Sequence, residues 1–220
     1  MDASELANRL RLYVLTDARA ARGRSPIGLV AAALRGGATA IQLREKSLST
    51  LAQVELGREL RRLTREAGAL FIVNDRVDVA VAVEADGVHL GQDDLPVDAA
   101  RKILGPNAII GGSAGNLEEL ERLLAAGVDY LGVGPMYPTG SKPDAGGAIG
   151  PAGLAMIRRR TDLPIVGIGG IDRTNVAPVL AAGANGVAVI AAVIGADDVE
   201  GAARQLFTTI DRELARLGRH

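Results

Sequence analysis

Eight short apolar runs, separated by segments of helical period, constrain this chain more than anything else in its 220 residues. The runs span 12–16, 40–43, 70–74, 87–90, 108–111, 130–134, 164–168 and 186–190. Each is apolar on both faces, as a parallel strand covered by helices must be. Between them, segments such as 49–67, 116–126 and 173–182 are long enough to serve as crossover helices. Asn116 and Asp172 are the N-caps this pattern suggests, and Gly127 and Gly183 the stops.

A weak internal repeat supports the count. Gly37-Ala38-Thr39, Ala85-Asp86-Gly87, Gly127-Val128-Asp129 and Gly183-Ala184-Asn185 each stand just before an even-numbered run. Such recurrence is expected of a chain built from βαβ units. An open, doubly wound sheet has the same alternation, but eight evenly spaced strands favour closure. The expected fold is α/β, a single (β/α)8 TIM barrel forming one domain over residues 1–220. Aromatic residues are only 2% of the chain, so Val, Ile, Leu and Ala must fill the core.

Polar residues gather where the strands end, which is where barrel active sites are built. At the second run the sequence reads Gln42-Leu43-Arg44-Glu45-Lys46. Residues two apart share a face of an extended backbone, so Gln42, Arg44 and Lys46 can project together. One amide and two cations make a phosphate or pyrophosphate clamp; a solvated strand end is the plainer alternative. Asn74-Asp75 ends the third run, and Asp93-Asp94 follows the fourth. Asp75 and Asp94 are each placed to cap a helix, yet carboxylates from adjacent strand ends can also share one Mg2+. His89, inside the fourth run, reads as a core or supporting histidine. Ser113 follows the fifth run, as a turn residue or as a donor to a ring or phosphate.

After the sixth run comes the longest irregular stretch, with Thr139, Gly140, Ser141 and Lys142. Its length in a chain of short connections points to an anion-binding loop rather than idle surface. Gly169-Gly170 after the seventh run and Ile190-Ala191 at the end of the eighth bring backbone to the place where barrels hold phosphate. The dinucleotide fingerprint is not present, because the third glycine and its spacing are missing.

The bulk composition excludes several classes. A net charge of -1 gives no basic field for nucleic acid or a membrane surface, and few aromatics leave no base-stacking platform. Cysteine is absent, which rules out disulfides and thiolate ligands. The opening MDASELANRLR has no apolar core of signal-peptide length, and no apolar run reaches the ~18 residues of a membrane span. A cytoplasmic protein acting on small-molecule substrates is expected, with a homo-oligomer left open.

Taken in order, Gln42–Lys46, Val73-Asn74-Asp75, Gly87–Asp94, Gly134–Lys142 and Val166–Ile171 resemble the thiamine phosphate synthase family. The resemblance runs over essentially the whole chain. It implies a transferase that condenses aminomethylpyrimidine pyrophosphate with a thiazole phosphate, plain or carboxylated, releasing pyrophosphate with Mg2+ as cofactor. By the same resemblance Gln42, Arg44, Lys46, Asn74, Ser113 and Lys142 would hold the pyrimidine pyrophosphate. Asp75 and Asp94 would ligate the metal. Thr139, Gly140, Ser141, Gly170, Ile190 and Ala191 would surround the thiazole phosphate. Arg44, Lys46 and Lys142 would be the catalytic cations, neutralising charge on the departing pyrophosphate. Two positions depart from the family pattern: Gly115 stands where a histidine is common, and Ala188 where a serine is. The sister thiazole tautomerases share the fold but leave the clamp and the two acids unexplained. A silent phosphate-binding barrel would bind without turnover.

Overall fold

Every one of the eight apolar runs is a strand in the computed structural model, which describes residues 1–140 and 147–219. The strands are β1 (Leu12–Leu15), β2 (Ala40–Leu43), β3 (Leu70–Asn74), β4 (Gly87–Leu90), β5 (Ile109–Ala114), β6 (Tyr130–Val133), β7 (Ile165–Ile168) and β8 (Gly186–Val189). Each pairs in parallel with the next, and β8 returns to β1 through Leu12↔Val187 and Val14↔Val189, closing the barrel. The expected (β/α)8 TIM barrel is therefore the observed fold.

Alternation along the strands sorts the apolar residues into two cores. Leu12, Val14, Ile41, Leu43, Phe71 and Val73 point outward against the helices. Tyr13, Leu15, Ala40, Leu70, Ile72, Tyr130, Val166 and Ala188 point inward and fill the barrel. The inward set includes Leu6 and Leu10, contributed by the helix Ala3–Arg9 and its C-cap, which close the lower end. On the same inward parity lie Gln42, Asn74, His89 and Ser113, one or two rungs above that apolar floor.

The internal repeat has a structural purpose. The Thr39 hydroxyl accepts from Leu12 N at 3.0 Å, Asp86 from Phe71 N at 2.8 Å, Asp129 from Ile110 N at 2.7 Å and Asn185 from Ile165 N at 2.9 Å. In each case the polar residue before an even strand caps the start of the odd strand beside it. Four copies of this bond tie the N-terminal rim of the barrel together.

Two local expectations change. β5 continues to Ala114 instead of ending at 111, because Gly112, Ser113 and Ala114 stay paired with β6. A Cβ at Gly111 would overlap the Tyr130 ring and His89, and one at Gly112 would crowd Leu123; the missing side chains are what let the strand run on. Asp172 does not cap a helix. Its Oδ1 accepts from Thr174 N at 2.7 Å and from the Thr174 hydroxyl at 2.6 Å, and the helix begins later, at Val176–Ala181. Asn116 does cap its helix, Leu117–Ala126, which ends at Gly127 in the left-handed conformation.

Candidate active site

A cavity of about 590 Å³ opens at the C-terminal ends of the strands. Gln42, Arg44, Lys46, Asn74, Asp75, Asp94, Ser113, Thr139, Gly170, Ile190 and Ala191 all line it. Gly140 is exposed in the same loop as Thr139 and is not among the lining residues. Ser141 and Lys142 lie outside the described residues. The smaller cavity at the other end of the barrel, about 270 Å³, is walled by Asn8, Arg11, Asp162 and Arg219 and is lined by none of the site residues expected from the sequence.

Arg44 leaves the end of β2 and is fixed from two sides. Its backbone N–H donates to the Thr16 hydroxyl at 2.9 Å, and its Nη1 donates to Asp17 Oδ2 at 2.9 Å. The pair is only 11% and 14% exposed, so the guanidinium is aimed before any ligand arrives. Glu45 points the other way into the protein, where burial raises its pKa and Oε1 has no hydrogen-bond partner. Lys46 Nζ stands 3.9 Å from Asp75 Oδ2, linking the cationic strand end to the acidic one.

Asp75 is held in an uncommon backbone state. Its φ is 62°, and Arg76 N donates across it to Asn74 O at 2.7 Å, the three-residue turn of positive φ. Asp75 N also donates to His89 O at 2.9 Å, so the strained residue is pinned to β4. Strain of this sort persists where the surrounding structure imposes it. The result is that the Asp75 carboxyl meets that of Asp94. Burial, and then the facing Asp94 carboxyl, push Asp75 from an ordinary 3.8 up to about 6, against the opposing pull of Lys46 and Arg44.

Neither acid caps a helix, contrary to the plainer alternative. The helices that follow begin at Val77 and Val97 with Arg76 and Pro96 at the cap positions and no side-chain cap bond. Asp94 Oδ2 accepts instead from Gly91 N at 2.6 Å. Two carboxylates at close quarters are hard oxygen donors in the number Mg2+ takes from protein, leaving other positions for phosphate oxygens and water. Among the described residues no group of three or more acids, histidines or cysteines is placed to hold a metal ion, so a cation here would take the two carboxylates and complete its shell with water or phosphate oxygens.

Several participants have no motif to announce them. Asp17 is one. Tyr13 and Tyr130 are two more, and they join the expected Gln42, His89 and Ser113 in a hydrogen-bonded chain across the barrel interior: Gln42 Nε2 to Tyr13 Oη at 2.6 Å, Tyr13 Oη to Tyr130 Oη at 3.1 Å, Tyr130 Oη to His89 Nδ1 at 3.0 Å, and His89 Nε2 to Ser113 Oγ at 3.0 Å. His89 is thus a supporting group, as its place in the fourth run suggested. The signal for the tyrosines is their parity: a phenol on an inward strand position needs a buried partner.

The sequence of the thiamine monophosphate synthase family matches residues 12–193, every strand of the barrel included. The chain belongs to this family. A thiamine-phosphate synthase of Moorella thermoacetica is 58% identical over 201 residues, covering 91% of this chain and 96% of the relative. One from Chloroflexus aurantiacus is 56% identical over 196 residues, covering 89% and 90%. The solved thiamine phosphate pyrophosphorylase of Pyrococcus furiosus superposes with a TM-score of 0.88 at 46% identity, over 95% of this chain and 99% of that one. As a member of the thiamine monophosphate synthase family the chain is a transferase of thiamine biosynthesis. No helix among the described residues is long and apolar enough to cross a membrane.

Proposed function

We propose that the cavity at the barrel mouth is where this thiamine phosphate synthase joins an aminomethylpyrimidine pyrophosphate to a thiazole phosphate, with residues 1–220 acting as one catalytic domain. The observation that carries the assignment is the convergence of Arg44 and Lys46 with the facing acids Asp75 and Asp94 on one cavity. Asp75 and Asp94 would hold Mg2+ together with diphosphate oxygens. Bound there, the cation would supply positive charge to the leaving group.

The chain's own residues do the rest. Arg44, pre-aimed by Asp17, presents its remaining donors to the diphosphate, and Lys46 adds a second positive charge at the same rim. Lys142 belongs to the same clamp in this reading. As the methylene C–O bond breaks, the electron pair leaves with pyrophosphate and these cations meet it where it forms. The carbon left behind is a methylene cation conjugated with the amino-pyrimidine, so no protein nucleophile is required. Gln42, Asn74 and Ser113 hold the pyrimidine pyrophosphate. Thr139, Gly140, Ser141, Gly170, Ile190 and Ala191 anchor the thiazole phosphate, so that the ring nitrogen lies in line with the cation and closes the new C–N bond.

The purified protein with both substrates and Mg2+ tests the assignment. Thiamine phosphate and pyrophosphate should form one for one, and a chelator should stop both. Isomerisation of the thiazole phosphate without C–N bond formation, or binding without turnover, would overturn it.

A further inference from the structure

The buried chain from Gln42 to Ser113 has a direction, and the direction has a consequence for the ligand. An amide nitrogen can only donate, and Gln42 Nε2 faces Tyr13 Oη. Tyr13 is 1% exposed, and its own proton must go to Tyr130 Oη, 3.1 Å away. If Tyr130 donated to Tyr13 instead, the Tyr13 proton would be buried without an acceptor, at a cost exceeding that of any single bond gained. Burial pushes both phenols well above their ordinary range, so each keeps its one proton to pass on. Tyr130, wholly buried, then donates to His89 Nδ1. That leaves His89 with its hydrogen on Nε2, which donates to Ser113 Oγ. The Ser113 hydroxyl, having accepted, directs its own proton away from His89, and Ser113 lines the cavity.

The space for this chain is built into the strands. A Cβ at Gly111 would overlap the Tyr130 ring and His89, and one at Gly132 would stand 2.9 Å from His89 Cε1. Gly111 in β5 lies opposite Tyr130 and Gly132 in β6 opposite Ser113; glycines there weaken the strands that carry them, and a route for aromatic and imidazole rings through the barrel centre is what they make room for. Tyr13 and Tyr130 further pack edge to face, with centroids 6.2 Å apart.

We propose that Tyr13, Tyr130 and His89 are positioning residues: together with Gln42 they set the polarity of Ser113, which meets the substrate only as a hydrogen-bond donor and selects an acceptor atom on the pyrimidine pyrophosphate. The kinetic part of this proposal rests on the function proposed above; the tautomer of His89 does not. Reversing the first link should reverse all of them. In Gln42→Glu the carboxylate accepts from Tyr13, Tyr13 accepts from Tyr130, Tyr130 accepts from His89 Nδ1–H, and Ser113 must donate to His89 Nε2, away from the ligand.

The chain has two histidines, so 15N-histidine NMR of the His220→Gln protein reads His89 alone. The neutral Nε2–H tautomer is expected, changing to Nδ1–H in Gln42→Glu at pH 9 and remaining Nε2–H when Tyr130→Phe is added to cut the chain. An Nδ1–H ring in the parent, or an unchanged tautomer in Gln42→Glu at pH 9, overturns the proposal whatever the enzyme does. In turnover, Ser113→Ala should raise KM for the pyrimidine pyrophosphate at least tenfold with KM for thiazole phosphate unchanged. Inhibition by inorganic pyrophosphate and by the pyrimidine alcohol locates the acceptor: weaker inhibition by one of them in Ser113→Ala supports the donor role, and unchanged inhibition by both overturns it.

Discussion

Asp17 grips Arg44 from the end of the neighbouring strand, its Oδ2 accepting from Nη1 at 2.9 Å while its Oδ1 accepts from Ala20 N at 2.9 Å. One carboxylate therefore caps a short helix and aims the main cation of the proposed clamp. Asn is as good a helix cap as Asp, so Asp17→Asn separates the two duties. It should leave thermal stability close to the parent's and lower kcat/KM for the pyrimidine pyrophosphate about tenfold, or ~1.4 kcal/mol of transition-state stabilisation. Steady-state kinetics at fixed thiazole phosphate is the measurement, and an unaltered kcat/KM would show that Arg44 needs no such support. Arg44→Lys should fall at least as far, since a point charge does not replace a forked donor.

Asp75 offers a cleaner case of function set against stability. Above pH 6 its ionised form faces another carboxyl and is partly buried, which disfavours folding relative to an isolated aspartate. Asn tolerates the positive φ of 62° that this position imposes, so Asp75→Asn removes charge without adding strain. The metal-free variant should be more stable than the parent at pH 8 by about 1 kcal/mol after allowance for solvent screening, or roughly 3 °C in Tm. The same variant should lose metal-dependent turnover by two or more orders of magnitude while binding thiazole phosphate as before. Calorimetry with and without Mg2+, beside the turnover assay, reads both effects. A variant as active as the parent at limiting Mg2+ would remove Asp75 from the ligand set.

The pH dependence of the pair carries a definite sign. The folded value of Asp75, about 6, lies above its ordinary 3.8, so the folded protein holds a proton that the unfolded chain has already lost between those limits. The cost of ionising it is fully present above pH 6 and fades as pH falls toward 4. Cation binding runs the opposite way, because the ligand must be deprotonated. With Asp94 facing it and Lys46 and Arg44 at its flank, Asp75 should make Mg2+ bind about fourfold more weakly at pH 5.5 than at pH 7.5. Titration calorimetry with Mg2+ at the two pH values decides it, and a pH-independent affinity would count against Asp75 as a ligand.

Strand positions and most of the proposed site were legible in the sequence for one physical reason. A parallel strand buried on both sides is a continuous apolar run, and in a barrel the polar residues just past such runs collect at one mouth. Gln42, Arg44, Asp75 and Asp94 are readable on that basis alone. The tyrosine chain was not, since Tyr13 and Tyr130 meet over 117 residues of separation and no local pattern encodes the meeting. Asp17 was hidden by its second duty as a helix cap. The extension of β5 beyond Gly111 was hidden because a second glycine reads as the end of a strand until the side chain that fills its empty side is known. The recurring polar residue before each even strand was visible, but its partner on the neighbouring strand was not.

Gly111 gives a direct test of that last kind of hidden packing. Its methyl substitution would collide with the Tyr130 ring and with His89, neither of which is the loose end of a flexible chain. Gly111→Ala should cost on the order of 2 kcal/mol through overpacking, lowering Tm by about 6 °C. Because the displaced rings hold Ser113, KM for the pyrimidine pyrophosphate should rise too. Gly105→Ala is a useful contrast: nothing lies within 4 Å of its Cβ, and the loss there would come from a positive φ of 87° alone, with KM unchanged. Thermal melts and kinetics on both proteins make the comparison, and equal KM values in the two would detach the rings from substrate binding.

The opposite rim should respond in the opposite way. Asp129 Oδ2 accepts from Ile110 N at 2.7 Å and pairs with Arg101 Nη2 at 2.7 Å, so Asp129→Ala leaves a strand N–H without its acceptor and a partly buried guanidinium without its ionic partner, though still bonded to Ala108 O. Most of the loss comes from the N–H, which belongs to a residue with no exposure, and should amount to about 1–3 kcal/mol. The solvent-accessible ion pair adds less, because water screens it and Arg101 keeps its bond to Ala108 O. The site lies at the other end of the strands and its geometry does not pass through this bond, so kcat and both KM values should stay within about twofold of the parent at 25 °C. Asp129→Asn keeps an acceptor for Ile110 N and should recover most of the lost stability even without the charge. Urea unfolding of the two variants measures this, and if Asn proved as damaging as Ala the ion pair, rather than the strand cap, would be what the repeated polar residue provides.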